Sequence, residues 1–152
     1  MSRQPSHGFA LTEVLVAAAL LAVGLLGHLA LLVAGLRAER DAANLATAVT
    51  LAADLGERIR TNSSAALLYA TDTEAEVPGA TLCAISTPSD PAARAACDLD
   101  EWWREASTTL PGVTARVTTS ALPGGATTLC VVTLRWSTQG SYGGQYTLRL
   151  QV

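Results

Sequence analysis

An uninterrupted apolar segment near the N-terminus constrains this chain more than any other feature. Residues 14–36 contain no charged side chain. A helix of about 23 residues rises roughly 35 Å at 1.5 Å per residue, which is enough to cross a hydrocarbon core of about 30 Å with some tilt. The segment therefore predicts a membrane-spanning helix, and it leaves about 110 to 120 residues for one small domain outside the membrane.

An acid, Glu13, directly precedes this segment. A secretory signal has a shorter apolar core of about 7 to 15 residues, followed by a cleavage site of small residues. A plain membrane anchor gives no reason for an acid, because an ionised carboxylate at a helix centre costs about 2.5 to 3.5 kcal/mol. Near the helix end the same acid is close to water and favoured by the helix dipole. Glu13 is therefore informative only together with the residues that precede it.

A polar leader, MSRQPSHG, precedes the helix and ends at Gly8. Phe9 follows at the first position of the helix and Glu13 at the fifth. This order of features resembles the class III signal of type IV prepilins and pseudopilins, in which a leader, a glycine, a phenylalanine, an acid and an apolar run follow one another. Thr12 departs from the family, which more often has an aliphatic residue there, but a threonine hydroxyl can bond a carbonyl one turn back.

The resemblance implies how such a chain is processed. A prepilin peptidase is expected to cleave between Gly8 and Phe9 and to methylate Phe9. Glu13 is then expected to pair with the new cationic amino terminus, in its own chain or a neighbour's, during assembly. The implied location is a single pass through the inner membrane with a periplasmic domain, and then an extracellular pilus filament. The implied partners are membrane lipid before assembly, the inner-membrane assembly platform, and other pilin and minor pilin subunits.

The helical pattern continues past Leu36 up to the Asn62-Ser63-Ser64 cluster. From Phe9 to Thr61 the helix would be on the order of 80 Å long. Its second half carries apolar residues at spacings of three and four, namely Leu45, Val49, Ala52, Leu55 and Ile59. We therefore expect a prepilin leader at 1–8, a transmembrane or filament-core helix at 9–36, an amphipathic continuation at 37–62, and a head domain at 63–152.

The head domain is predicted to be α+β. Residues 63–97 predict an irregular region, followed by a short helix with Asp98 as N-cap, Glu101 completing a capping box and Pro111-Gly112 as the stop. Apolar alternation predicts three antiparallel strands near 113–119, 130–136 and 146–152, joined by turns at 123–125 and 140–144. A small sheet laid across the long helix gives a pilin-like fold.

The cysteines Cys83, Cys97 and Cys130 all follow the apolar segment, so export would permit one disulfide and leave one thiol. Cys83–Cys97 is the favoured pair, because it would restrain about 13 residues and contribute about 2 to 4 kcal/mol. Pairing of Cys130 with either of the others stays open. His7 and His28 lie far along the chain from the thiols, so no metal site is predicted.

Charge and composition argue against two function classes. The net charge is -3 and the ten basic residues are all arginine, so we expect no face that binds nucleic acid. The head domain has no histidine and no G-x-S-x-G motif, and the acids Asp72, Glu74 and Glu76 are typical of a solvated run. We therefore predict that the protein is not an enzyme and needs no cofactor.

Further blocks along the chain resemble the PilV family of minor pilins, the type IV pilus modification proteins. They lie at residues 24–27, 54–62, 98–102, 110–112 and 132–136. This resemblance implies a low-abundance subunit that primes pilus assembly or sits in a tip complex with other minor pilins and an adhesin. A minor pseudopilin of a type II secretion system is the alternative.

Overall fold

Helix α1 (Leu11–Thr61) combines the apolar segment and the amphipathic segment of the sequence in one element. It ends at Thr61, as the Asn62-Ser63-Ser64 cluster predicts. The computed structural model describes residues 11–71, 83, 90–124, 127–138 and 141–152. The remaining elements are a 3-10 helix (Ser63–Tyr69), α2 (Pro91–Thr109), β1 (Thr114–Ala121), β2 (Thr128–Thr138) and β3 (Ser141–Gln151).

The chain divides into two units, an N-terminal unit (Met1–Arg40) and a C-terminal unit (Asp41–Val152). Every described residue of the N-terminal unit is helical and exposed. Within the described residues, α1 is the one helix long and apolar enough to cross a membrane. The length and composition of α1 therefore agree with the predicted span.

The sheet of the C-terminal unit has the strand order β1-β2-β3, with both pairs antiparallel. In the register, Ala115 faces Leu134 and Cys130 faces Leu150. All four of these side chains are buried, because every second residue points toward the helices. The predicted α+β class and its three antiparallel strands are confirmed.

The turn predicted at 140–144 is partly wrong, because β3 already begins at Ser141. Gly144 lies opposite Trp136 in the β2–β3 register. A β-carbon at Gly144 would collide with the Trp136 ring. The glycine that suggested a turn instead makes room for an aromatic ring within a strand.

The second part of α1 forms the helical layer on the sheet. Its buried residues are spaced by three and one, which keeps them on a single helical face: Ala48, Leu51, Ala52, Leu55, Gly56 and Ile59. A β-carbon at Gly56 would lie 3.2 Å from a methyl carbon of Leu148, so a glycine here permits a close helix–sheet approach. Leu45 and Val49, predicted to belong to the apolar stripe, are 44% and 39% exposed and lie beside the buried face.

Helix α2 starts earlier than the sequence pattern predicts. Asp90 is its N-cap and accepts a hydrogen bond from the Ala93 amide at 3.0 Å, and Pro91 occupies the first turn. Proline at the first helical position is favoured because its missing N–H would be unpaired there anyway. The predictions of Asp98 as N-cap and of an irregular region over the whole of 63–97 are therefore wrong. The predicted stop is confirmed, since α2 ends at Thr109 and Gly112 adopts φ +54°.

The core of the C-terminal unit lies between the sheet and the two helices. Trp102 of α2 is fully buried, and its indole N–H donates to the Leu51 carbonyl of α1 at 2.8 Å. Burying an indole in this way removes a large apolar surface from water while its single donor stays paired. The largest fully buried side chains are Trp102, Tyr69, Leu55, Ile59, Leu110 and Leu134.

Candidate assembly site

The candidate assembly site begins in the first described turn of α1, where Glu13 is located. The Glu13 side chain is exposed, and a carboxylate in a first turn interacts favourably with the positive end of the helix dipole. Gly8 and Phe9, the predicted cleavage and methylation site, lie outside the described residues. Cleavage, methylation and the pairing of Glu13 with the amino terminus therefore stay predictions.

Aliphatic side chains are exposed around the whole circumference of α1 over residues 14–36. Leu20, Leu21 and Val23 are 70%, 66% and 69% exposed, although successive residues of a helix point in different directions. A helix that is apolar on every side is stable in lipid or when packed among other helices, and it is an aggregation liability in water. This surface can therefore support anchoring and helix–helix assembly.

His28 is the polar exception within this surface. Its Nδ1 atom lies 3.0 Å from the carbonyl oxygen of Gly24, one turn earlier. Glycines at 24, 27 and 35 leave open space around the helix, since a β-carbon at any of them would meet nothing within 4 Å. The sequence alone predicts no role for His28, because a histidine in isolation carries no sign of its hydrogen bonding.

A polar junction connects the end of α1 with α2. Arg58 Nε lies 2.8 Å from Asp54 Oδ2, and its Nη1 atom lies 3.0 Å from Glu101 Oε2 and 3.6 Å from Asp98 Oδ1. Partial burial alone would lower the pKa of the Arg58 guanidinium, but its hydrogen bonds to Asp54 and Glu101 outweigh this effect and the pKa is raised. Asp54 lies one turn before Arg58 on α1, whereas Asp98 and Glu101 belong to α2, so the guanidinium connects the two helices.

The buried half of this junction is made by uncharged groups and one carboxylate. The Asn62 amide donates to the Pro91 carbonyl at 2.8 Å and to the Tyr69 hydroxyl at 3.2 Å, and that hydroxyl donates to Asp98. Burial, followed by the hydrogen bond to Asp98, raises the pKa of Tyr69 well above its ordinary value. Asp98 is thus a hydrogen-bond acceptor within α2, and Asn62 joins α1 to the start of α2.

The cysteines divide into a bonded pair and a buried thiol. Cys83 and Cys97 form a disulfide, the pair that the sequence favours, with their Cα atoms 5.4 Å apart. Cys130 is a free cysteine in the core, and burial raises the pKa of its thiol. Because the thiolate is the reactive form, this environment makes Cys130 slow to react. The described residues contain no group of three or more metal-ligating side chains.

Comparison with known proteins gives one match. Residues 3–27 match the family described as the prokaryotic N-terminal methylation motif. The matched stretch includes Gly8, Phe9 and Glu13 and residues 14–27 of the apolar run. No curated protein and no solved structure matches the chain.

The motif supports a member of the type IV pilin-like class, that is, a type IV pilin or a pseudopilin. The fold is in accord with this class, because a long apolar helix is followed by a helical layer on a small antiparallel sheet. Proteins of this class have structural roles, and the apolar helix agrees with anchoring in a membrane.

Proposed function

We propose that this chain is a minor pilin of a type IV pilus, which takes part in priming pilus assembly or in the tip complex. The observation that carries the proposal is the methylation motif at residues 3–27, which is continuous with an exposed apolar helix. A plain membrane anchor has no need of an acid at position 13, whereas an assembling subunit can use Glu13 to pair with a cationic amino terminus. The protein acts by assembly and is not an enzyme.

Processing converts the anchor into an assembly element. The prepilin peptidase cuts between Gly8 and Phe9 and methylates Phe9, which gives the mature chain a cationic amino terminus. When α1 leaves lipid and packs among other helices, this cation and the Glu13 carboxylate neutralise each other, within one chain or between two. Pairing matters because an uncompensated charge in an apolar environment is strongly unfavourable.

The C-terminal unit is proposed to be the periplasmic head that neighbouring subunits contact. Export to an oxidising compartment is supported by the Cys83–Cys97 disulfide, since disulfides persist mainly in such compartments. The proposed partners are other pilin and minor pilin subunits, the prepilin peptidase and the inner-membrane assembly platform. Nucleic acid is not among them.

The resemblance to PilV supports the minor-pilin assignment. The blocks that carry it coincide with structural positions: Arg58 makes the polar junction, Trp102 fills the core, and Trp136 packs on Gly144. These residues support the fold of the head, so the resemblance extends beyond the anchor into the C-terminal unit. On this basis the subunit is of low abundance and acts with other minor pilins.

Deletion of the gene tests the proposal. We expect loss of most surface pili with protein secretion unchanged, and recovery of both pili and the tagged chain in sheared filaments after complementation. The filaments are measured by electron microscopy and immunoblotting. Normal piliation combined with a block in secretion would assign the chain to a type II secretion system as a minor pseudopilin. Normal piliation and normal secretion would contradict both roles.

A further inference from the structure

His28 is the one polar side chain among residues 14–36. Polar residues within a spanning helix are rare and usually face other helices or a polar cavity, because exposure to hydrocarbon is unfavourable. We propose that His28 is a hydrogen-bonding site which selects a neighbouring subunit whose own spanning helix presents an O–H or N–H donor at the same depth. This inference rests on the proposed function, which places the first part of α1 in a membrane and then in a filament.

The hydrogen-bond geometry fixes the role of each ring nitrogen. Nδ1 lies 3.0 Å from the Gly24 carbonyl oxygen, and a carbonyl oxygen can only accept. Nδ1 must therefore carry the hydrogen. A neutral imidazole carries one ring hydrogen, and with that hydrogen on Nδ1 the Nε2 atom has a lone pair that accepts a hydrogen bond. Within the described part of the chain no hydrogen bond to Nε2 is found.

A second copy of the same chain does not satisfy this acceptor. In register, the two helices would present the same Nε2 lone pair to each other, and residues 14–36 offer no other side-chain donor. The partner is therefore a different subunit, with a hydroxyl, amide or indole N–H in its span. Gly24 lies one turn before His28, and a small residue there allows a second helix to approach closely.

A direct test uses the full-length chain as its own probe. Chains carrying donor or acceptor fluorophores outside the span are reconstituted in vesicles of phosphatidylethanolamine and phosphatidylglycerol, and their association is measured by energy transfer. The partner chain carries either His28→Asn, which supplies an N–H donor at the same depth, or His28→Ala, which supplies none. We expect wild type to associate with the asparagine variant about three- to tenfold more tightly than with the alanine variant or with itself.

Two outcomes in vesicles would overturn the inference. One is that wild type associates with itself as tightly as with the asparagine variant. The other is that the alanine variant associates as tightly as the asparagine variant. Failure of the wild-type chain to insert into the vesicles would overturn the proposed function as well.

Incorporation into filaments gives an independent measurement. We expect His28→Leu to lower the amount of the chain in sheared filaments at least threefold, which is about the effect of losing one interhelical hydrogen bond. His28→Asn should retain most of it. Equal incorporation of wild type and His28→Leu would overturn the inference while the proposed function stands. Absence of the wild-type chain itself from filaments would overturn the proposed function.

Discussion

Charged side chains of this protein differ in how their charge is compensated. Arg58 is partly buried and contacts Asp54, Asp98 and Glu101, so its partners are already in place within the chain. Glu13 is exposed in the first described turn of α1, where the helix dipole favours a carboxylate. Its proposed partner is created only by cleavage. The Arg58 junction therefore acts in folding, whereas Glu13 is proposed to act in assembly.

Replacing Glu13 by alanine should impair assembly without destabilising the head. Removing one member of a buried charge pair costs about 3 to 5 kcal/mol, so we expect incorporation to fall more than about tenfold. The measurement is the amount of the variant in sheared filaments relative to the amount in membranes. Glu39→Ala, which removes an exposed acid of α1 outside residues 14–36, is the matched control and should incorporate normally. Wild-type incorporation of the Glu13→Ala variant would refute the pairing mechanism.

Replacing Arg58 by methionine should destabilise the C-terminal unit by about 1 to 2 kcal/mol, because a partly buried guanidinium loses its hydrogen bonds to Asp54 and Glu101 and its ion pair with Asp98. Arg60→Met is the control. Arg60 pairs with Glu57, and their side chains are 54% and 65% exposed, so its loss should cost less than about 0.5 kcal/mol. Denaturation of the full chain in detergent, followed by tryptophan fluorescence, measures both free energies of unfolding. Equal effects of the two substitutions would contradict the importance of the junction.

At the level of secondary structure, regular periodicity made an element predictable. The three strands follow from apolar alternation, and α1 follows from an apolar run continued by spacings of three and four. For α2 the sequence predicts a start at Asp98 that is too late, because Asp98 and Glu101 have the spacing of a capping box. Both residues instead bind groups that are distant in sequence, Tyr69 and Arg58. Such partners are fixed by tertiary packing, which a local pattern does not contain.

Irregular elements were predicted less well. The 3-10 helix at Ser63–Tyr69 lies in a stretch with no clear period, and it is fixed by burial of Ala65, Ala66 and Tyr69. Gly144 is typical of a turn when only its neighbours in sequence are considered. In the sheet it accommodates the Trp136 ring of the adjacent strand β2. Of the candidate site, the methylation motif is readable from the sequence because its residues are contiguous. The hydrogen bond of His28 and the junction around Asn62 depend on the folded chain and are not.

The disulfide should stabilise α2 and its attachment to residue 83. The two cysteines are 14 positions apart. A cross-link over a loop of this length lowers the conformational entropy of the unfolded chain, which stabilises the folded chain by about 3 kcal/mol. We expect Cys83→Ser with Cys97→Ser to lower the free energy of unfolding by about 2 to 4 kcal/mol. Cys130 should react with iodoacetamide only after unfolding. Thiol mapping of the exported protein by mass spectrometry provides the check, and free thiols at both Cys83 and Cys97 would exclude this pairing.

The whole molecule combines two units with opposite surface chemistry. The described residues of the N-terminal unit expose their aliphatic side chains, whereas the C-terminal unit buries an apolar core between helices and a sheet. The first is suited to lipid or to other helices, and the second to an aqueous compartment. The proposed cleavage of a leader ahead of this anchor would distinguish a filament subunit from a permanently anchored protein. The proposed role in assembly therefore depends on processing of the anchor.

The mature N-terminus shows whether the anchor is processed. The chain is expressed with its prepilin peptidase, purified from membranes and filaments, and its N-terminal peptide is identified by mass spectrometry. We predict a chain that begins at N-methylated Phe9, and an uncut chain when the peptidase is absent or Gly8 is replaced by a bulky residue. An intact N-terminus at Met1 in the presence of active peptidase, or a cut beyond Leu36, would contradict the account.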